Sequence, residues 1–118
     1  MAELQHDIHQ TAVEKGWWPT AADGTSTRQF GEILALMHSE LSEALEAWRD
    51  NVGNLVWIPQ WDAYGVPDKP EGVAVELADC VIRIADWFES EGLDLQQVME
   101  MKHEYNKTRS FRHGNKRA

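Results

Sequence analysis

The chain of 118 residues has almost no cysteine, few prolines, a shortage of basic charge and no long apolar run. Its one cysteine, Cys80, excludes an intrachain disulfide, and its place in an apolar helical stretch marks it as a small core residue. No segment approaches the roughly 18 uninterrupted apolar residues of a membrane span, and MAELQHDIHQ carries no apolar run of the signal-peptide kind. A soluble, cytoplasmic protein with no membrane partner is therefore expected. Lys and Arg number 11 against 20 Asp and Glu, for a net charge of −9. Residues 1–100 hold 19 of the acids and 5 of the bases, so an acidic body carries a basic tail. Contacts along a polynucleotide need clustered Lys and Arg, which excludes a nucleic acid polymer as the expected partner; the tail suits a small phosphate ligand. At this length a single domain, 1–118, is expected, small enough for its binding cleft to need a second subunit.

What the chain does have is helical period. Residues 3–15 place Leu4, Ile8, Thr11 or Ala12 and Lys15 at helical spacing, and Gly16 ends that helix. Trp17 and Trp18 are adjacent and so point apart, with packing in the core or between subunits favoured over contact with a nucleobase. TAADGTST is turn chemistry centred on Asp23-Gly24, with Ser26 or Thr27 placed to cap the next helix. From about 28 to 50, Leu34, Met37, Leu41, Ala44, Leu45 and Trp48 form one apolar stripe, which is expected to be core. Between Asp50 and Glu71 the period is lost. That segment, with Trp57, Trp61 and Tyr64, is a long ordered loop or short strand pair that packs over the bundle end or lines a substrate pocket or dimer cleft. After Pro70, Val73, Leu77, Cys80, Val81, Ile84 and Phe88 make a second stripe, and Val75, Ala78, Ile82 and Ala85 cover most of the remaining surface. A helix apolar nearly all round is a central one. Glu91-Gly92 ends it, and a fourth helix runs on to about Thr108. The expected fold is all-α and four-helix bundle-like.

Acids interrupt these apolar faces in a pattern. At 100° per residue Glu40 falls among Ile33, Leu36, Ala44 and Ala47, and Glu43 lies beside Leu36 and Glu32. A carboxylate among apolar neighbours needs a cation, a metal or a proton. Glu46 repeats the spacing but turns toward solvent. On the central helix Glu76, Asp79, Arg83 and Asp86 share one polar strip, with Arg83 read as a structural ion pair to Asp79 at i+4. The pairs Glu40/Glu43 and Glu76/Asp79 are expected to meet. Four such carboxylates suit Mg²⁺, or Mn²⁺ as its substitute, which bridges protein oxygens to phosphates. Lys102, Asn106 and Arg109 share a face of the fourth helix and would meet the outer phosphates, with Trp57 and Trp61 as further substrate contacts. Metal, phosphate and cation in that order describe a site for cleaving a phosphoric anhydride.

The segments HSELSEALEAWR, EGVAVELADCVIRIADW and KHEYNKTRSFRHGNKRA, with GWW near the front, resemble the MazG-like members of the all-α nucleoside triphosphate pyrophosphohydrolases. The resemblance implies Mg²⁺-dependent hydrolysis of a (deoxy)nucleoside triphosphate to the monophosphate and pyrophosphate, in the service of nucleotide-pool sanitation. It also implies a homo-oligomer, dimer or tetramer, whose subunits complete the active site. Its ExxE falls on Glu40 and Glu43, its ExxD on Glu76 and Asp79, and its KxxxNxxR on Lys102, Asn106 and Arg109. The 32 residues between Glu43 and Glu76 exceed what is common in the family, so base selectivity does not carry over. Two other readings stand beside this one. The first is a nucleotide-binding or subunit-docking module without catalysis. The second is a di-iron carboxylate bundle, suggested by the ExxH pairs Glu3/His6 and Glu100/His103.

Overall fold

A computed structural model describes residues 1–50 and 69–111. The fold is all-α, with helices α1 (Ala2–Glu14), α2 (Phe30–Asp50), α3 (Val73–Ser90) and α4 (Leu95–Lys107). Trp57, Trp61 and Tyr64 lie outside the described residues, as does the end of the basic tail. Helix α3 packs on each of the other three; among the described residues α2 packs on α3 alone, and α1 and α2 do not meet. The helix with apolar residues nearly all round is thus the one the others share. No helix among the described residues is long and apolar enough to cross a membrane.

The ends of α1 and α3 are closed in the same way. Gly16 has φ 84° and Gly92 φ 70°, a left-handed conformation that glycine adopts without steric cost. The Gly16 N–H donates to the Val13 carbonyl and the Trp17 N–H to that of Ala12; Gly92 and Leu93 repeat this with Glu89 and Phe88. Both are Schellman closures, which occupy the carbonyls a helix end leaves open. The first of them sets where Trp17 starts.

Helix α4 begins at Asp94, whose carboxylate accepts from the Gln97 N–H at 3.2 Å. One buried side chain ties this start to α1. Gln5 Oε1 accepts from the Leu95 N–H at 2.9 Å, while its Nε2 donates to the Leu93 carbonyl at 2.7 Å and to Glu89 at 2.8 Å. Its amide oxygen and both amide hydrogens are therefore spent at the α3–α4 corner.

The stripe on α2 differs from expectation. Of the stripe, Leu34, Leu41, Leu45 and Trp48 are 39–49% exposed, Met37 is half-buried and only Ala44 is buried, together with Ile33 and Glu40. At 100° per residue the buried set centres roughly 90° around the helix from those four exposed residues. The more apolar face is thus turned away from α3 and the face that carries Glu40 is turned inward. Leu77 and Val81 of α3 are likewise exposed, at 45% and 49%. The buried apolar core is Ile33, Ala44, Cys80, Ala85 and Leu95, so Cys80 is the small core residue its setting indicated. The loop before α2 also departs from expectation. Ser26 Oγ accepts from the Arg28 N–H and Thr27 Oγ1 donates to the Pro19 carbonyl, so both hydroxyls shape the loop itself and neither caps the helix.

Candidate metal centre and adjoining recess

Three carboxylates converge where α2 crosses α3. One oxygen each from Glu40, Glu43 and Glu76 lies within 4.8 Å of the other two, and no other such group of three occurs among the described residues. Glu40 is brought there because its face of α2 is the buried one; it is 6% exposed. Its Oε1 accepts from Arg83 Nε at 2.8 Å, while Oε2 is buried with no hydrogen-bond partner among the described residues. Leaving a carboxylate oxygen dry and unpartnered costs free energy unless something positive is held there.

The neighbouring acids feel the same crowding. Burial pushes the Glu76 carboxyl above its usual range, followed by a shared hydrogen bond with Glu43 and repulsion from Glu43, Asp79 and Glu40. Burial also raises Asp79, with Glu40 and Glu43 adding to the effect and Arg83 and Lys69 opposing it. Asp79 is thus within electrostatic range of the three although outside their tight group. A hard divalent cation matches this donor set of oxygens, and the orphaned Oε2 is an observation that favours one. Arg83 does not form the expected pair with Asp79: its guanidinium is hydrogen-bonded to Glu40 on the facing helix. The i+4 rule counts partners on one helix and is blind to the next. Glu46 sits at the surface with Arg49. The ExxH residues join no such cluster, and His6 is instead paired with Glu89 at 3.1 Å.

Beside the acids a recess of about 300 Å³ opens between α1 and α3. Glu40, Asp79 and Arg83 stand at one part of its wall, Asp86 and Arg28 at another, and Lys15 and Trp17 also line it. Asp86 is the buried end of the polar strip. Its Oδ1 lies 2.6 Å from His9 Nδ1, Trp18 Nε1 donates to both of its oxygens at 2.9 Å, and Arg28 lies 3.9 Å away. The two tryptophans divide as adjacency requires: Trp18 faces Asp86, and Trp17 is 53% exposed with Arg83 over its ring at 5.8 Å.

No known family, curated protein or solved structure matches the chain.

The site therefore stands on its own geometry, which joins Glu40, Glu43 and Glu76 with Asp79 close by. Lys102 and Asn106 are exposed on α4, and neither they nor Arg109 line the recess. Lys102 and Arg109 instead lie over the ring of Tyr105, at 4.8 and 5.7 Å. Trp57 and Trp61 lie outside the described residues. Sequence reasoning passed over His9 and Arg28 and, though it set Lys15 on one face with Ile8, Thr11 and Ala12, gave it no role. One signal pointed to them: Asp86, deep in an apolar helix, needs donors, and residues 1–48 offer just two Lys or Arg, Lys15 and Arg28.

Proposed function

We propose that this chain is a metal-dependent nucleoside triphosphate pyrophosphohydrolase of the MazG-like kind, which releases pyrophosphate and leaves the monophosphate. The observation that carries the reading is Glu40 Oε2, a buried carboxylate oxygen with no partner, set in a group of acids on two crossing helices. Glu40, Glu43, Glu76 and Asp79 would hold Mg²⁺, with Mn²⁺ as its substitute. The cation supplies Lewis-acid polarisation of a phosphoryl oxygen. Arg83 holds Glu40 by one oxygen and so fixes the direction of the other. The recess takes the nucleoside beside the acids, with Trp17 at its edge. Lys102, Asn106 and Arg109 reach the outer phosphates from a second copy of the chain, as they do not line the recess of their own. The apolar stripe exposed on α2 is the surface that brings the copies together.

A panel of canonical and modified (d)NTPs with Mg²⁺ tests this, with pyrophosphate and orthophosphate read separately. Pyrophosphate is the expected product. Orthophosphate alone, or no turnover across the panel, overturns the proposal.

A further inference from the structure

Arg28 is the most buried cation of the recess: its side chain is 6% exposed, its guanidinium lies 4.7 Å over the Trp18 ring, and Asp86 stands 3.9 Å away. Among the described residues nothing accepts a hydrogen bond from that guanidinium, for 3.9 Å is an ion pair without a hydrogen bond. A planar group with five N–H donors is thus held in a wall with its donors unspent among the described residues. Asp86 is less free, since His9 and Trp18 already engage its oxygens. Among the described residues, this part of the wall therefore offers the unspent donors of Arg28 beside a carboxylate already engaged by His9 and Trp18.

Its place relative to the acids says what part of a ligand it meets. Asp79 and Asp86 both line the recess on α3, seven residues apart, which is roughly 10 Å along the helix axis. A nucleotide with its phosphates at Glu40 and Asp79 spans that separation and brings its base to Arg28. This step rests on the function proposed above.

We propose that Arg28 is the base-reading residue and that the base it selects is a purine with a carbonyl at C6, guanine or hypoxanthine. O6 and N7 of such a base lie side by side as two acceptors, the geometry that a guanidinium meets with two parallel hydrogen bonds. Adenine replaces O6 by an amino group, which sets donor against donor. Uracil has one carbonyl beside a C–H on the corresponding edge and gains one bond at most, and cytosine sets an amino donor there. The Trp18 ring and Asp86 hold the guanidinium plane while this reading is made.

The test is calorimetric binding of GMP, IMP, AMP, CMP and UMP to the full chain with Mg²⁺. The monophosphates lack the scissile bond, so binding is read without turnover. GMP and IMP are expected to bind about tenfold or more tightly than AMP, the discrimination of one bidentate pair. In Arg28→Lys, which keeps the charge beside Asp86 and loses the fork, the ratio falls to about twofold while the circular dichroism spectrum is unchanged. Equal binding of all five, no binding of any, or a ratio that persists in Arg28→Lys overturns the assignment. If the variant does not fold, the wild-type ratio decides alone. Preference for GMP with no pyrophosphate release from any triphosphate retains the base reading and removes the pyrophosphohydrolase, so the two fail separately.

Discussion

Glu40 concentrates the physics of the site in one side chain. One of its oxygens accepts from an arginine and the other, also buried, has no partner among the described residues. Replacing it by glutamine keeps an acceptor for Arg83 and removes the charge. Glu40→Gln should therefore lower turnover by about 100-fold or more with the helical spectrum intact, since several kcal/mol of charge stabilisation are lost. Unaltered kinetics in that variant would exclude a metal role. The neighbouring acids also predict a pH dependence. Glu76 and Asp79 have raised folded-state pKa values, so without metal the native state keeps protons that the unfolded state releases. Stability should then fall as pH rises from the usual carboxylate values through the raised ones. Saturating Mg²⁺ should flatten that fall by replacing the protons, and urea midpoints across this range, with Mg²⁺ and with chelator, measure it. Glu89 works in the opposite sense. Hydrogen bonds from Gln5 and then His6 hold its carboxyl below the usual range, so what it contributes is present above that range and lost as pH drops through the lowered value.

Among the elements, α1 is held to the α3–α4 corner through Gln5. Gln5→Ala strips the buried Leu95 N–H of its acceptor and leaves the Leu93 carbonyl without its donor. A loss of about 2–3 kcal/mol is expected from chemical denaturation, with the slope of the transition unchanged. Asp94→Ala, which removes only the α4 cap, should cost about 1 kcal/mol. The helices themselves were legible in the sequence, because period and glycine placement depend on neighbours along the chain. So was the odd setting of Glu40, which derives from the angle it makes with Ile33 and Ala44. The rotation of α2 was not legible. Angles say which residues share a face, and the stripe from Leu34 to Trp48 is the more apolar one, yet which face meets α3 is decided by both helices together. The wall around Asp86 was hidden for a similar reason: Trp18 and His9 reach it across 68 and 77 residues of sequence. No periodic rule spans such distances.

For the molecule as a whole, the described residues place no large side chain in a fully buried position, and Leu34, Leu41, Leu45 and Trp48 lie open along α2. A second copy of the chain laid on this stripe removes the apolar surface that a lone copy exposes to water. Sedimentation should show a dimer or larger species, and Leu41→Lys with Leu45→Lys should convert it to monomer with weakened turnover. A wild type that sediments as a monomer at tens of micromolar would refute this. The long reach of Gln5 has a further consequence for how the molecule comes into being. On the ribosome, α1 emerges before the corner it docks on, and the hydrogen-bond partners of Gln5, Glu89, Leu93 and Leu95, are made 84 to 90 residues later. At ordinary rates of synthesis α1 waits on the order of ten seconds with nothing to dock against. The recess, one wall of which is α1, therefore cannot form until α3 has been made.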